Sequence, residues 1–322
     1  MGLVHLGDVS PLLACPRCRC GVVQEEEGFR CSSDSCVYNA PGSFPLIERW
    51  PVLADFERSI LEPAGVRGAE SGAGNRWSID RLPRRLRSWA QPRNRVAARN
   101  VEALLGLLRE PAPLILVIGG GTIGNGVEEI YEDRRTRVLA FDIYGTPLVQ
   151  FIADAHQIPL ASESVDAVVV QAVLQQILDP GEAVKEIHRV LRPSGLVYAE
   201  TPFLQQVGHA GPDFTRYTSS GHRHLFRAFE EVAAGPVAGP GAQMLTSVDH
   251  LVRGLLRSEL AGKLARLPFF WLRYLDRLVP TAFAMDNASA YYFLGRRSER
   301  ELSPDEIVAY YRGAHRVATK AS

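Results

Sequence analysis

Short apolar runs, separated by stretches with helical periodicity, organise the middle of the chain. The run "LILVI" at 114–118 is wholly apolar and leads directly into three glycines. Such a run predicts a strand buried on both faces of a parallel sheet. The segment "VEEIYEDR" then predicts a helix, and "TRVLAFDIY" predicts a second strand that ends near Asp142. This strand, helix, strand order predicts an α/β fold.

The composition is that of an ordinary globular protein. Of the 322 residues 46% are apolar, which is enough for about two domains with buried cores. Lys and Arg total 36, as do Asp and Glu, so the balanced charge disfavours nucleic acid as a partner. No apolar run approaches the roughly 18 residues of a membrane span, and "MGLVHLGDVS" lacks the pattern of a secretory signal. We therefore expect a cytoplasmic protein without a transmembrane segment.

All five cysteines lie within one short segment near the N-terminus. The pairs Cys15-x2-Cys18 and Cys31-x4-Cys36 are separated by twelve residues, and two such knuckles can place four thiolates around one ion. In a reducing compartment this favours a zinc ion over disulfides. Cys20 is the spare; it could replace Cys18, but its spacing from Cys15 fits a knuckle less well. A closed four-sulfur site has no open position for chemistry, so the zinc is predicted to be structural.

The residues that follow the cysteines, "YNAPGSFPLIERWPVL", resemble the tail of the small zinc-ribbon proteins that partner tRNA, rRNA and protein methyltransferases. The resemblance covers residues 11–55 and implies a ribbon domain at 1–56. The Gly- and Ala-rich segment "EPAGVRGAESGAGNR" predicts a linker, placed at 57–75. Residues 76–322 are then the second domain. Its first part, 76–99, carries eight Arg and one acid, which favours a solvated helical face over a phosphate-binding stripe.

The glycines that follow the first apolar run match a nucleotide-binding pattern. Gly119, Gly121 and Gly124 fit G-x-G-x-x-G, and Asp142 comes 18 residues after Gly124. Glycines allow a ligand to approach the backbone closely, and an acid at the end of the second strand can accept hydrogen bonds from ribose hydroxyls. From these residues alone, a dinucleotide and S-adenosylmethionine both stay open as the ligand.

The next segment decides between the two ligands. It contains, in order, D-A-x-x-I-P-L at 154–160, S-x-D-x-V at 164–168, "EIHRVLRPSG" and "LVYAETPF". This series resembles the class I methyltransferases of the quinone-biosynthesis type. The resemblance implies a Rossmann-like, seven-stranded methyltransferase sheet with S-adenosylmethionine as cofactor. By the same resemblance "EEVAAGPV" is the sixth strand and "ASAYYFLGRR" the antiparallel last one, so 241–285 is a helical insert before it.

The same resemblance implies roles for individual residues. The glycine turn would wrap the methionine part of the cofactor, Asp142 would hold the ribose, and Asp154 would accept from the adenine amino group. Three features depart from the family pattern. Its acid two positions before the first glycine is Val117 here, and its third glycine is Ile123, with Gly124 one place late. Its Glu-His after the fourth strand is Gln175-Gln176, so no histidine base comes from there. The predicted cofactor-binding residues are Gly119, Gly120, Gly121, Asp142, Ile143, Asp154, Ala155 and Gln171.

The loop after the fifth strand is the predicted acceptor side, because loops at the carboxyl ends of strands line the ligand crevice. Its pattern H-x3-D-x2-R-Y-T resembles a loop of methyltransferases that act on sugars and glycan-related substrates. We predict His209, or His209 paired with Asp213, as the general base for an acceptor hydroxyl. Arg216 would bind an anionic acceptor group and Tyr217 would pack against the acceptor. The alternative is a loop tied together by its own salt bridge.

Within the insert, "KLARLPFFWLRYLDRLVP" at 263–280 combines four aromatic residues with several Arg. It could form a hydrophobic lid, a dimer face or a helix that contacts a membrane peripherally. A helix packed on the core, with the aliphatic stems of its Arg side chains along the surface, is favoured over these.

Taken together, the sequence favours an S-adenosylmethionine-dependent O-methyltransferase that acts on a small-molecule or glycan-related acceptor. One alternative is an rRNA or tRNA base methyltransferase, because a zinc module also precedes this fold among rRNA guanine methyltransferases. Another is a non-catalytic binding protein that keeps the fold, which the departures at Val117 and Gln175 suggest.

Overall fold

The computed structural model describes residues 2–26, 28–62, 66, 93–207 and 213–315. The chain forms two compact units: Met1–Val173 with Asp179–Tyr198, and Leu174–Leu178 with Ala199–Ser322. The cysteine-rich segment belongs to the first unit, together with most of the parallel strands. The sequence-based boundaries of a ribbon, a linker and a second domain stay predictions. Most of the linker and the Arg-rich stretch up to residue 92 lie outside the described residues.

The N-terminal part of the first unit is a small antiparallel ribbon. It begins with α1 (Leu6–Val9) and a 3-10 turn (Ser10–Leu12), and continues with β1 (Val22–Glu25), β2 (Gly28–Cys31), β3 (Phe44–Ile47) and β4 (Trp50–Pro51) in the sheet order β1-β2-β3-β4. Its own core is small: Phe29 and Phe44 are buried, and the Tyr38 ring stacks on Phe44 at 4.9 Å. Because only a few side chains are buried, the ribbon gains little hydrophobic stabilisation from its own core. It therefore needs contacts with other parts of the chain.

The larger sheet is α/β, as the apolar runs predict. Its strands are β5 (Leu114–Ile118), β6 (Arg137–Asp142), β7 (Phe151–Ile152), β8 (Val165–Gln171), β9 (Leu191–Pro202), β10 (Phe229–Ala238) and β11 (Ala290–Arg297). They form one seven-stranded sheet in the order β10-β11-β9-β8-β5-β6-β7. β5 pairs in parallel with both β6 and β8, whereas β10 and β11 are antiparallel. The predicted seven-stranded fold, with an antiparallel last strand, is therefore confirmed.

The central strand β5 is anchored at its first residue as well as along its length. The Leu114 N–H donates to Asp166 Oδ2 at 2.8 Å, and Arg192 donates to the other oxygen of the same carboxylate at 2.6 Å. Asp166 is buried and lies at the start of β8, in the S-x-D-x-V segment. Its carboxylate therefore fixes the register between two neighbouring strands at the end of the sheet opposite the glycine turn.

Helices of the first unit follow from caps and apolar periodicity. Helix α2 (Arg95–Leu107) is capped by the Asn94 side chain, and its buried positions, among them Ala97, Val101 and Leu104, recur at helical spacing. Helix α3 (Glu129–Glu132) is only one turn, shorter than the pattern "VEEIYEDR" predicts. Helix α4 (Pro180–Val190) begins at a proline and is capped by Asp179, whose side chain accepts from the Glu182 N–H.

The ribbon pairs with the open edge of this sheet inside the first unit. Leu3 forms a parallel bridge with Val138 of β6, and Val52 forms one with Ile152 of β7. The Trp50 ring is 4% exposed, and its Nε1 donates to the carbonyls of Thr146 and Val149 at 3.0 and 3.2 Å. The short edge strand β7 is thereby covered, and the ribbon gains the buried surface that it lacks alone.

The second unit contains most of the remaining helices. They are α5 (Ser219–Leu225), α6 (Pro240–Leu256), α7 (Glu259–Ala265), a 3-10 turn (Leu267–Phe269), α8 (Leu272–Leu275), α9 (Thr281–Asp286) and α10 (Pro304–Ala309). The predicted insert at 241–285 is thus helical. Its aromatic residues Phe269, Phe270, Trp271 and Tyr274 are half exposed, so these rings are not part of a buried core. Among the helices that the structure describes, none is both long and apolar enough to cross a bilayer.

We expect Trp50→Ala to lower the free energy of unfolding by about 3–5 kcal/mol, because the substitution removes a fully packed indole and leaves two carbonyls without their donor. Urea unfolding followed by circular dichroism measures the loss. Trp271→Ala is the matched control: that ring is 49% exposed, and its removal should change stability by about 0.5 kcal/mol or less. Equal losses in the two variants would contradict the buried role of Trp50.

Candidate functional site

The glycine turn lies directly at the carboxyl end of β5. Gly119 has φ +73°, a left-handed conformation that favours glycine, and the N–H groups of Gly119 and Gly120 both donate to the Phe141 carbonyl at 3.0 Å. Because β6 ends one residue later, these bonds hold the turn against the end of β6. The turn therefore reverses the chain where a ligand of a parallel sheet binds.

Asp142, at the end of β6, accepts two backbone hydrogen bonds. The Gly121 N–H donates to Oδ2 at 2.8 Å and the Ile143 N–H donates to Oδ1 at 2.7 Å. Burial raises the pKa of Asp142, and these two donors act in the opposite direction. A carboxylate can accept about four hydrogen bonds, so about two positions on this partly exposed group remain for a ligand.

The glycines also make room for side chains of this chain. A Cβ atom on Gly121 would lie 2.7 Å from Asp142 Oδ2 and 2.8 Å from the Tyr144 hydroxyl. A Cβ atom on Gly124 would lie 1.8 Å from Gln171 Oε1. The Nε2 of the same Gln171 side chain donates to the Asn125 carbonyl at 3.1 Å. The close approach at these two glycines is therefore made by neighbouring polar side chains, a role that G-x-G-x-x-G alone does not reveal.

Asp154 follows β7 and caps the 3-10 turn Ala155–Gln157. Its Oδ1 accepts from the His156 N–H at 2.9 Å and lies 2.6 Å from His156 Nδ1, and its Oδ2 accepts from the Ser59 hydroxyl at 2.5 Å. Asp154 is 4% exposed. Three donors thus occupy most of the acceptor capacity of a buried carboxylate, in contrast to Asp142. Its predicted role toward adenine stays a prediction.

His156 is held from both ring nitrogens. Its Nε2 accepts from the Asp179 N–H at 3.0 Å, and Asp154 next to Nδ1 raises the pKa of His156. An accepting Nε2 must carry no proton, so we assign the neutral ring with its proton on Nδ1. Neither His156 nor Ser59 is among the site residues predicted from the sequence. His156 stands inside D-A-x-x-I-P-L and could have been found, whereas no sequence signal connects Ser59 to a residue 95 positions away.

The structure brings the predicted cofactor residues to one edge of the first unit. Each predicted residue lies at or just after the last residue of a strand. These are Gly119, Gly120 and Gly121 after β5, Asp142 at the end of β6 with Ile143 after it, Asp154 and Ala155 after β7, and Gln171 at the end of β8. These four strands are parallel neighbours, so their carboxyl ends meet at the same edge. The set is therefore assembled by the topology of the sheet, although the contribution of each residue to binding stays a prediction.

Residues 208–212 of the predicted acceptor loop, His209 among them, lie outside the described residues. Asp213 and Arg216 form an ion pair, and Arg216 also donates to the Gln205 carbonyl. The salt bridge that the sequence analysis raised as the alternative is therefore present, and Asp213 and Arg216 both help to hold this loop.

Their position after the fifth strand would also place two other histidines of this segment, His222 and His224, near an acceptor. His222 is instead 3% exposed in helix α5, with its ring 5.1 Å from Phe226 and 6.4 Å from Phe293. Burial lowers the pKa of His222 to about 3, so the ring is neutral inside an aromatic cluster. Tyr217 lies beside it, with the two rings 6.1 Å apart. Of the pair, His224 alone is exposed.

Four thiols of the ribbon converge. The sulfurs of Cys15, Cys18, Cys31 and Cys36 all lie within 4.8 Å of one another, with Cys18 and Cys31 3.3 Å apart and Cys15 and Cys36 3.7 Å apart. Bonds of about 2.3 Å to a tetrahedral zinc set sulfur separations near 3.8 Å, so the donor set fits that ion. Burial raises the pKa of the Cys15 thiol, and that of Cys31 to about 11, which disfavours thiolates at these two residues without a cation. Cys20 is not in the group.

A buried carboxylate connects the thiol cluster to the following segment. Arg17, between the first two cysteines, donates to Asp55 Oδ2 at 3.0 Å, and the Tyr38 hydroxyl donates to Asp55 Oδ1 at 3.0 Å. The Phe56 N–H in turn donates to the Tyr38 hydroxyl at 2.8 Å. Asp55 is fully buried and Ser59 is four residues further on. The segment that reaches Asp154 is thus fixed to the cysteine knuckle.

Comparison with known proteins gives one family match. Residues 117–199 match a family model described as a methyltransferase domain, and the match begins inside β5 and ends inside β9. It therefore covers the glycine turn and the carboxyl ends of β6, β7 and β8. The chain carries a methyltransferase domain, and the resemblance drawn from the sequence is confirmed at that level. No curated protein matches the chain at a significant level.

Solved structures give weaker similarities. A candidate sarcosine dimethylglycine methyltransferase from Galdieria sulphuraria shares 13% identity over 69% of this chain and 90% of its own, with a TM-score of 0.44. A Haloferax volcanii complex of the Trm112 methyltransferase activator and a candidate methyltransferase shares 15% identity over 66% and 97%, with a TM-score of 0.41. The Burkholderia thailandensis 1,6-didemethyltoxoflavin-N1-methyltransferase shares 16% identity over 64% of this chain and 78% of its own, with a TM-score of 0.39. TM-scores this low say nothing about the ligands of this chain.

We expect one tetrahedrally bound metal ion per chain, measured by elemental analysis of freshly purified protein. Cys18→Ser should lose the ion and loosen the ribbon, because one of four ligands is removed. Cys20→Ser is the matched control, since Cys20 is equally exposed but stands outside the sulfur cluster. Retention of the ion in Cys18→Ser with loss in Cys20→Ser would exchange the roles of the two residues, and a metal-free wild type would disprove the site.

Proposed function

Because the chain carries a methyltransferase domain, we propose that it transfers the methyl group of S-adenosylmethionine to a hydroxyl of a small-molecule or glycan-related acceptor. The observation that carries this proposal is Asp142, a partly exposed carboxylate fixed by the Gly121 and Ile143 N–H groups at the end of β6. Its remaining acceptor positions suit the two hydroxyls of a ribose. The bound cofactor would supply a methyl group on a positively charged sulfonium.

Further residues of the first unit would complete the cofactor site. In this proposal the turn Gly119 to Gly121 lies along the methionine part, and Ala155 and Asp154 lie beside the adenine. For Asp154 to accept from the adenine amino group, one of its present donors must give way. The Ser59 hydroxyl is the candidate, because the other two donors belong to the same turn as Asp154 itself. Ser59 would then report on occupancy of the cofactor site.

On the acceptor side, we assign the base to His209, which would take the hydroxyl proton as the methyl group moves. Methyl transfer is an in-line displacement, so the protein mainly positions the nucleophile and removes its proton. A few residues after His209, Asp213 and Arg216 form an ion pair, and Arg216 also donates to the Gln205 carbonyl. These two contacts support the loop on that side of His209. Tyr217, packed beside His222, would provide a flat apolar surface for the acceptor.

The ion of the ribbon is proposed to be zinc with a structural role. Four sulfur donors leave no coordination position for a substrate. The ion pair of Arg17 with the buried Asp55 connects the cysteine knuckle to the segment that reaches Asp154. In this view the zinc contributes to catalysis only by keeping that segment in place. The quinone-biosynthesis subtype, suggested by sequence, is part of the same proposal.

The reaction is tested with a methyl-labelled cofactor and panels of acceptors. We expect label transfer to hydroxylated small molecules or saccharides, and none to tRNA or rRNA fragments. Transfer to RNA alone would replace this function with base methylation. Binding of S-adenosylhomocysteine without transfer to any panel would favour a binding protein that keeps the fold.

We expect Asp142→Asn to weaken S-adenosylhomocysteine binding by about 1.5–3 kcal/mol, the range for a lost hydrogen bond to a charged group. Isothermal titration calorimetry measures the change. Asp133→Asn is the control, because that carboxylate pairs with Arg135 near the surface and should leave affinity unchanged. Equal affinity in wild type and Asp142→Asn would remove Asp142 from the site.

For His209→Ala we expect turnover to fall about 10²–10⁴-fold with any acceptor that the wild type methylates, since a general base contributes that order. Cofactor affinity should stay unchanged, so binding and chemistry separate. Initial rates and calorimetry on the same preparation measure both quantities. Full turnover in the variant would show that the base lies elsewhere, and lost cofactor binding would show that His209 is structural.

A further inference from the structure

An extended apolar surface covers the helices between β10 and β11. More than half of the exposed large apolar side chains among the described residues lie between Met244 and Phe283. Leu255 and Leu278 are 73% and 79% exposed, well above what a helix packed on a core would leave open. We call the exposed apolar side chains of residues 244–283 the apolar face. A surface of this size on a soluble chain marks an interaction site.

Four aromatic residues of the apolar face lie within one short segment, 269–274. Phe269, Phe270, Trp271 and Tyr274 are 43–49% exposed, and they include every exposed Trp and Tyr in the described part of the chain. The Trp271 Nε1 donates to the Pro268 carbonyl at 3.0 Å. Its single N–H is thus already satisfied, so the ring can enter an apolar medium without an unpaired donor.

Basic residues interleave with these apolar ones. Residues 244–283 contain six Lys or Arg and three acidic side chains, a net charge of +3 in a chain that is neutral overall. Two of the acids are used internally: Asp249 is 3% exposed, and Asp276 accepts from the first N–H groups of α6. The guanidinium groups of Arg273 and Arg277 lie 5.6 and 5.7 Å from the centre of the Tyr274 ring. Positive charge therefore lies next to an aromatic ring of the apolar face.

The charge decides which occupant suits this face. A second copy, paired about a two-fold axis, would bring the same positive surface against itself, which is unfavourable. An anionic bilayer offers both complements, apolar chains for the aromatic rings and phosphates for the guanidinium groups. We propose that the apolar face docks on a bilayer of anionic phospholipids, with Phe270 and Trp271 at the boundary between headgroups and acyl chains and with Arg273 and Arg277 on lipid phosphates.

Sedimentation with vesicles tests this proposal on the full chain. We expect binding to phosphatidylcholine vesicles that contain about one third phosphatidylglycerol, at least tenfold weaker binding to phosphatidylcholine alone, and loss of binding as salt rises. Phe270→Ser with Trp271→Ser should lower partitioning at least tenfold, as should Arg273→Glu with Arg277→Glu. Because Phe270, Trp271 and Arg277 are exposed and Arg273 is only half-buried, thermal unfolding should change little.

Matched controls separate this surface from general stickiness and charge. Val37→Ser with Val308→Ser removes two exposed apolar side chains elsewhere, and Arg109→Glu with Arg134→Glu reverses two exposed charges elsewhere; both pairs should bind vesicles like wild type. Equal partitioning of all variants, or no binding to anionic vesicles, would overturn the proposal. So would a dimer in light scattering that dissociates in the Phe270 and Trp271 variant, because the face would then join two copies.

Discussion

Parallel pairing of β5 with strands on both of its sides is the constraint on which the rest of the structure depends. All five residues of β5 are buried, and its register runs against β6 on one side and β8 on the other. Parallel neighbours require crossover connections, so the carboxyl ends of successive strands come to one edge. Asp166 fixes the opposite end of this pairing through the Leu114 N–H. The glycine turn, Asp142 and Gln171 are neighbours only because this pairing holds.

The two carboxylates at that edge are used in different ways. Asp142 binds two backbone N–H groups and stays partly exposed, so it is positioned and still able to accept. Asp154 is buried and binds three donors, of which Ser59 comes from the segment after the ribbon. The same residue type is thus partly exposed in one place and joins separate parts of the first unit in the other. Hydrogen-bond capacity, rather than charge, distinguishes them.

The ribbon and the sheet edge stabilise each other. The ribbon is too small to bury much apolar surface, and β7 is a two-residue edge strand whose outer side would otherwise be open. The bridge from Val52 to Ile152 covers the outer side of β7, and the Trp50 ring packs beside Gly145. The edge strand is thus paired, and the ribbon gains buried apolar surface. Through Arg17, Asp55 and Ser59, the cysteine knuckle is continuous with Asp154 at the carboxyl end of β7. The thiol cluster and the geometry around Asp154 are therefore parts of one structural unit.

The sequence by itself determined the α/β class, the strands around "LILVI" and "TRVLAFDIY", and the spacing of the four cysteines, because apolar periodicity and knuckle spacing are local properties. Order along the chain also placed the predicted cofactor residues after the correct strands. Only the tertiary structure decided that Ser59 reaches Asp154, that His222 is buried among aromatic rings, and that the aromatic residues near Trp271 are exposed. These depend on contacts between distant segments, and a residue type does not encode which neighbours will cover it.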